Sequence, residues 1–110
     1  FDLDAFARWV KEANTMGITS KTAILAGVMP LESADEAVSL RNKYTDLVIP
    51  DSVIERLKAA GDAGAQAKEG MAICVETIKK IKSMEGVRGI HILSGGKEHL
   101  VPEIIKASGL

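Results

Sequence analysis

Ile24-Leu25-Ala26-Gly27-Val28-Met29-Pro30-Leu31 is the stretch on which the fold class turns. The apolar run from Thr22 to Val28 is too short for an independent helix, and it lacks clean alternation. That pattern predicts a strand covered on both faces, as in a parallel sheet. Met29 and Pro30 end it, because proline has no amide to give to a ladder. A second strand is predicted at Val87–Leu93, closed by the flexible turn Ser94-Gly95-Gly96. Nearly sixty residues of helical pattern separate the two. Strands joined through helices pair in parallel with right-handed crossovers, so the chain is read as α/β.

Outward from that strand, Leu3, Phe6, Val10 and Ala13 repeat at helical spacing with Trp9 beside them, which predicts a helix from about Asp4 to Met16. Gly17 follows in the position of a C-terminal cap. Ser33 with Glu36 three residues on is a capping-box signature, opening a helix whose buried side is drawn from Ala37, Val38, Leu40 and Tyr44. Pro50 and Asp51 start a shorter helix through Val53, Ile54 and Leu57, with Asp51 as N-cap. The longest helix runs from about Gly64 to Met84. Ala67, Met71, Cys74, Ile78 and Ile81 trace its apolar stripe, and Lys79, Lys80 and Lys82 form a solvated face. Leu100–Ala107 is a final helix with Pro102 in its first turn.

Composition narrows the function classes. Fourteen basic and fifteen acidic residues, spread along the chain, leave a net charge of −1. Such a balance gives no footprint for nucleic acid or an anionic membrane. No apolar run nears the roughly 20 residues that cross a bilayer. A single cysteine, Cys74, excludes an internal disulfide and a cysteine-rich metal site, and it fits a reducing, cytoplasmic setting. On the stripe of the long helix it reads as a small core hydrophobe. No metal site is expected. Residues 1–110 are expected to be one domain. Two parallel strands cannot cover both faces of a sheet or hide their edges, so neighbours are required. The start at Phe1 rather than Met favours a fragment of a larger protein.

Several short motifs occur in order. Gly27-Val28-Met29-Pro30 resembles the G-(I/V)-(M/L)-P signature after the seventh barrel strand of methylenetetrahydrofolate reductases. Val48-Ile49-Pro50 resembles that family's I-P step before a helix, and Glu69-Gly70-Met71-Ala72 its E-G-I helix. Gly86-Val87-Arg88-Gly89-Ile90-His91 resembles its eighth strand, and Phe1-Asp2 the F-D after its sixth. Val101-Pro102-Glu103-Ile104-Ile105 is closest to the shorter reductases of anaerobic one-carbon pathways. Where methionine-pathway members carry an aromatic F-Y-T-L-N stretch, this chain has Ile92-Leu93-Ser94-Gly95-Gly96. The resemblance covers essentially all 110 residues. It implies the C-terminal portion of a (β/α)8 TIM barrel, from after strand six to the end.

By the same resemblance, the complete enzyme holds FAD and passes a hydride from the reduced flavin to 5,10-methylenetetrahydrofolate, giving 5-methyltetrahydrofolate. The flavin contacts would come mainly from the first six strands, so the segment alone would be inactive. Expected partners are the folate substrate, the N-terminal part of the barrel, and a second copy or partner subunit. By position Glu36 matches a family glutamine that contacts the folate, and Leu40 a phenylalanine that stacks on its aminobenzoate part. Glu36 can accept a hydrogen bond, and Leu40 can give apolar contact without stacking. Their competing roles are capping-box partner and core-facing helix residue. No residue of the chain is read as catalytic.

His91, with no Ser, Cys or carboxylate cluster near it in sequence, reads first as a hydrogen-bonded structural residue or one beside the site. Ser94, Gly95 and Gly96, ahead of a helix, can cradle a phosphate or simply make a turn. Two other readings stand beside the reductase. One is a different pterin- or phosphate-binding TIM-barrel enzyme. The other is a non-catalytic binding module whose open sheet edges pair between chains.

Overall fold

A computed structural model describes residues 1–110. It contains helix α1 (Leu3–Thr15), strand β1 (Ile24–Val28), helices α2 (Ala34–Lys43), α3 (Asp51–Ala60) and α4 (Ala63–Lys82), strand β2 (Val87–Ile92) and helix α5 (Val101–Ser108). Short 3-10 turns at Ile18–Ser20 and Glu98–Leu100 lead into β1 and α5.

The two strands pair in parallel. Ile24 faces Val87, but Leu25 faces Gly89, so Arg88 is left over in a bulge. From there the register is regular, Gly27 against His91 and Val28 against Ile92. One residue of slip flips side chains to the other face. The bulge therefore lets Val87, Ile90 and Ile92 all point to the same core.

That core lies between the sheet and two helices. Ala26 and Val28 meet Cys74, Ile78 and Ile81 of α4 and Ile104 of α5, with Leu3 and Phe6 of α1 closing one side. Cys74 is buried as expected, and burial pushes its thiol above the ordinary range. A second core joins Leu31, Ala34 and Ala37 to Ile49, Ile54 and Leu57, with Ile73 of α4 packed against it. Helix α4 is thus the common wall of both cores. In the Val48-Ile49-Pro50 step it is Ile49 that anchors in the second core, while Val48 is exposed.

Three expectations need correction, those for Tyr44, Asp51 and the coverage of β1. Tyr44 is 47% exposed rather than buried. It is the extended C-cap of α2 (φ −117°, ψ 97°), so the helical spacing that links it to Leu40 has ended. Asp51 does not cap α3 with its side chain; it is the first helical residue, and its carboxylate accepts instead from Arg41 at 2.6 Å. Trp9, beside the α1 stripe, is exposed and stacks on Phe6. And β1 is covered on one face only. Ala26 and Val28 are buried, but Leu25 and Gly27, which alternate with them, are exposed, because nothing in this chain lies over them. The radius of gyration, 14.5 Å, exceeds the roughly 13 Å of a closed 100-residue domain, as an open-faced sheet requires.

Candidate functional site at the C-terminal ends of the strands

Side chains from five elements meet where β1 and β2 end. After Val28 the chain runs through Met29-Pro30-Leu31-Glu32 into α2, and contacts fix almost every step. Ser33 is extended and its hydroxyl accepts from the Glu36 amide at 3.0 Å, which caps α2 as expected. Glu36 reaches back, but one residue further than a standard capping box: its Oε2 accepts from the Glu32 amide at 2.8 Å. The next free amide of the helix start, on Ala34, donates to Gln66 Oε1 of α4 at 2.8 Å. Gln66 also donates to the Gly61 carbonyl, so it ties α2 to the start of α4.

Gly70 passes directly beneath this loop. A Cβ at that position would sit 1.6 Å from the Leu31 carbonyl oxygen. Two of the sequence motifs, Gly27–Pro30 with its following Leu31 and the Glu69-Gly70-Met71 helix, are therefore two sides of one close backbone approach.

From β2 the chain enters Ser94-Gly95-Gly96 with Gly95 and Gly96 at φ +61° and +88°, conformations that other residues rarely adopt. The Ser94 hydroxyl donates to Glu98 at 2.7 Å, and that bond holds the Glu98 carboxyl below its usual range. A carboxylate placed there opposes an anion in this turn. Lys97 then turns back across the sheet end. Its ammonium donates to the Pro30 carbonyl at 3.0 Å and pairs with Glu36 Oε1. Lys97 is only 8% exposed.

Glu36 is thus engaged through both oxygens, by Lys97 and by the Glu32 amide, while 27% of its side chain stays open to solvent. Leu40, one turn on, is half-buried and packs against the second core. His91 is not enclosed; it lies exposed beside Gly27 on the open sheet face. Leu25 and Leu93 flank it there: a Cβ on Gly89 would meet Leu25 at 3.0 Å, and one on Gly27 would meet Leu93 at 3.1 Å. The site thus unites Glu36 with the Ser94–Lys97 turn, whereas Leu40 and His91 stand apart from it. Lys97 and Gln66 escaped the sequence reading. Their partners are 61 and 32 residues away, and no local pattern announces such pairings.

Two other features lie outside this cluster. Along the unpaired edge of β1 runs an apolar groove of about 260 Å³, between Leu3 and Phe6 of α1 and Gly27, Met29 and Leu93. On the far side of α4, Arg56 donates two bonds to Glu76, at 2.7 and 2.9 Å, and one to Glu69. The guanidinium holds the Glu76 carboxyl below its usual range, and the pairing raises Arg56 in turn. This is a surface brace between α3 and α4. No three His, Cys, Asp or Glu side chains gather to hold a metal, and no helix is long and apolar enough to cross a membrane.

Comparison with known proteins follows the same line. The family model described as methylenetetrahydrofolate reductase matches residues 1–109. A probable methylenetetrahydrofolate reductase (NADPH) from Caenorhabditis elegans is 27% identical over 111 residues, covering all of this chain and 16% of that protein. The chain therefore spans about a sixth of that relative's length. No solved structure matches it. Two parallel strands with their helices, carrying these motifs in order and matched almost end to end, place the chain in the methylenetetrahydrofolate reductase family.

Proposed function

We propose that residues 1–110 are the last part of a single (β/α)8 barrel domain that reduces 5,10-methylenetetrahydrofolate to 5-methyltetrahydrofolate. The carrying observation is the family match over residues 1–109, on a parallel sheet closed by its own helices on one face and bare on the other. In a barrel the bare face points inward, and the remaining strands cover both it and the groove along β1. TIM-barrel sites lie at the C-terminal strand ends, the end where Glu36, Lys97 and the Ser94–Gly96 turn converge. On this reading Glu36, with lone pairs to spare, and Leu40, at the rim of the second core, stand on the folate side.

In this reading FAD, once reduced by an external electron donor, would supply the hydride. The residues present offer it no built site. The open face bears leucines, glycines and one histidine, and the Ser94–Gly96 turn carries Glu98 where a pyrophosphate would need positive or neutral donors. Flavin contacts then belong to the earlier strands, so residues 1–110 alone are inactive.

The complete gene product, purified and analysed by intact mass and flavin absorbance, tests this. About 250 residues or more, bound FAD and reduction of methylenetetrahydrofolate are expected. A barrel that binds pterin or phosphate without flavin would replace the reductase with another barrel enzyme. A flavin-free native chain of only these residues, assembled through its sheet edges, would leave a binding module.

A further inference from the structure

We propose that Lys97 is a positioning residue for the folate-side mouth: its ammonium locks the turn after β2 onto the loop after β1 and holds the Glu36 carboxylate in place. This rests on the reading of Glu36 given above.

Lysine is among the residues least often buried, because an ammonium out of water needs full pairing. Here it is buried at a sheet end that a methionine could fill equally well by volume. An ion pair in such a place is weak evidence of stability. What it does supply is direction: a charge with two fixed acceptors, the Pro30 carbonyl on the loop after β1 and the Glu36 carboxylate on α2.

The loop it leaves needs that direction. Apart from the Lys97 side chain, the hydrogen bonds of Ser94–Glu98 are local: Ser94 to Glu98, the Lys97 amide to the Ser94 carbonyl, and the Leu100 and Val101 amides to the Lys97 and Glu98 carbonyls. The last tie to β1 is the Leu93 amide on the Val28 carbonyl, before two glycines with positive φ. Glycine gives the backbone its widest freedom, so without the Lys97 side chain this turn has no polar tie to the loop after β1 or to Glu36. The receiving side is rigid by contrast. Pro30 precedes the Leu31–Gly70 approach, and Glu36 is gripped from below by the Glu32 amide. Lys97 thus couples a free loop to a fixed one, through the carboxylate that stays partly open to a ligand.

The test uses full-length protein with Lys97→Met, which keeps the stem and removes the charge, and Lys97→Arg, which keeps charge and donors. Binding of 5-methyltetrahydrofolate is measured by calorimetry, beside KM and kcat for methylenetetrahydrofolate and the rate of flavin reduction by the electron donor. Lys97→Met is expected to weaken Kd and raise KM by about tenfold or more, a loss of orientation at the mouth. Flavin content and donor-side reduction stay as in wild type. Lys97→Arg is expected to recover Kd to within about threefold, since a charge-assisted bond survives.

Unchanged Kd and KM in Lys97→Met would overturn the inference, as would an arginine variant as impaired as the methionine one. If Lys97→Met does not fold, Lys97→Gln keeps a donor for Pro30 without the charge, and an unaltered Kd there overturns it equally. Wild-type protein that neither binds folate nor turns over would sink the reductase reading and this inference together. Normal wild-type turnover with indifferent Lys97 variants sinks the role of Lys97 alone.

Discussion

The two faces of one small sheet have opposite fates. On the closed face Ala26, Val28, Ile90 and Ile92 lie against α4 and α5, with Ile78 fully buried. On the open face Leu25 of β1 is 61% exposed, and Leu93, just past the end of β2, 43%. Both faces are apolar in sequence, as the strands of a parallel sheet are. The difference therefore lies in what the chain can put over them. Helices between and after the strands cover one side, and nothing in residues 1–110 covers the other. A sheet apolar on both faces but covered on one leaves apolar surface bare within this chain.

The largest expected effect lies at the seam of the two cores rather than on either face. Gly70→Ala puts a Cβ against the Leu31 carbonyl with backbone on both sides, so neither partner can yield cheaply. Full-length protein with this change should lose more than about 4 kcal/mol in urea unfolding. A loss below about 1 kcal/mol would mean that α4 can slide away from the loop.

Next comes a matched pair that tests the comparison itself. Ile78→Ala on the closed face should cost about 2–5 kcal/mol. Leu25→Ala on the open face should cost a similar amount in the full-length protein if other strands bury it, and stay within about 0.5 kcal/mol if they do not. Equal losses erase the difference between the faces and support a closed barrel. A silent Leu25 leaves the open face open.

At the opposite end of the sheet, Asn14 donates to the Glu85 carbonyl at 2.7 Å and accepts from Thr19 at 2.6 Å. It lies beside Gly86 (φ +97°), where a Cβ would come within 2.2 Å of its oxygen. Asn14→Ala should lower stability by about 1 kcal/mol, with thermal unfolding as the measure. Because the N-terminal strand end carries no folate-side role here, KM for folate should not move.

The smallest effect belongs to the brace on α3 and α4. Glu76 is held below its ordinary value of 4.5, chiefly by the hydrogen bond from Arg56. A depressed carboxylate contributes stability that is present above its unfolded value and lost as pH falls through the folded one. The pair is about half exposed, so its contribution is below about 1 kcal/mol and screened by salt. Comparing Glu76→Gln with wild type between pH 7 and pH 3 should show a small gap that closes on acidification. A gap that widens would reverse the sign assigned here.

Element order was legible because it follows from local signals. Ser33 with Glu36, the apolar stripe through Cys74, Ile78 and Ile81, and the Gly95-Gly96 stop depend on neighbours a few residues away. Parallel pairing was legible from the helices between the strands. Coverage of both strand faces was not, since nothing within residues 1–110 lies over Leu25. Tyr44 and Asp51 misled for a smaller reason: a one-residue shift at a helix end moves a side chain off the expected face.

The amino-acid sequence by itself determined the α/β class, the ordered motifs and hence the family, because periodicity and turn chemistry act over short range. It also marked Glu36 as a residue with two competing roles. Only the tertiary structure decided that the motif glycine Gly70 lies under Leu31, that Arg88 bulges to aim β2 at the core, and that Glu36 is claimed by Lys97. Those are contacts between residues 39 and 61 positions apart, or a matter of strand register. They exist only once α4 has brought the two strand ends together, and no local pattern encodes them.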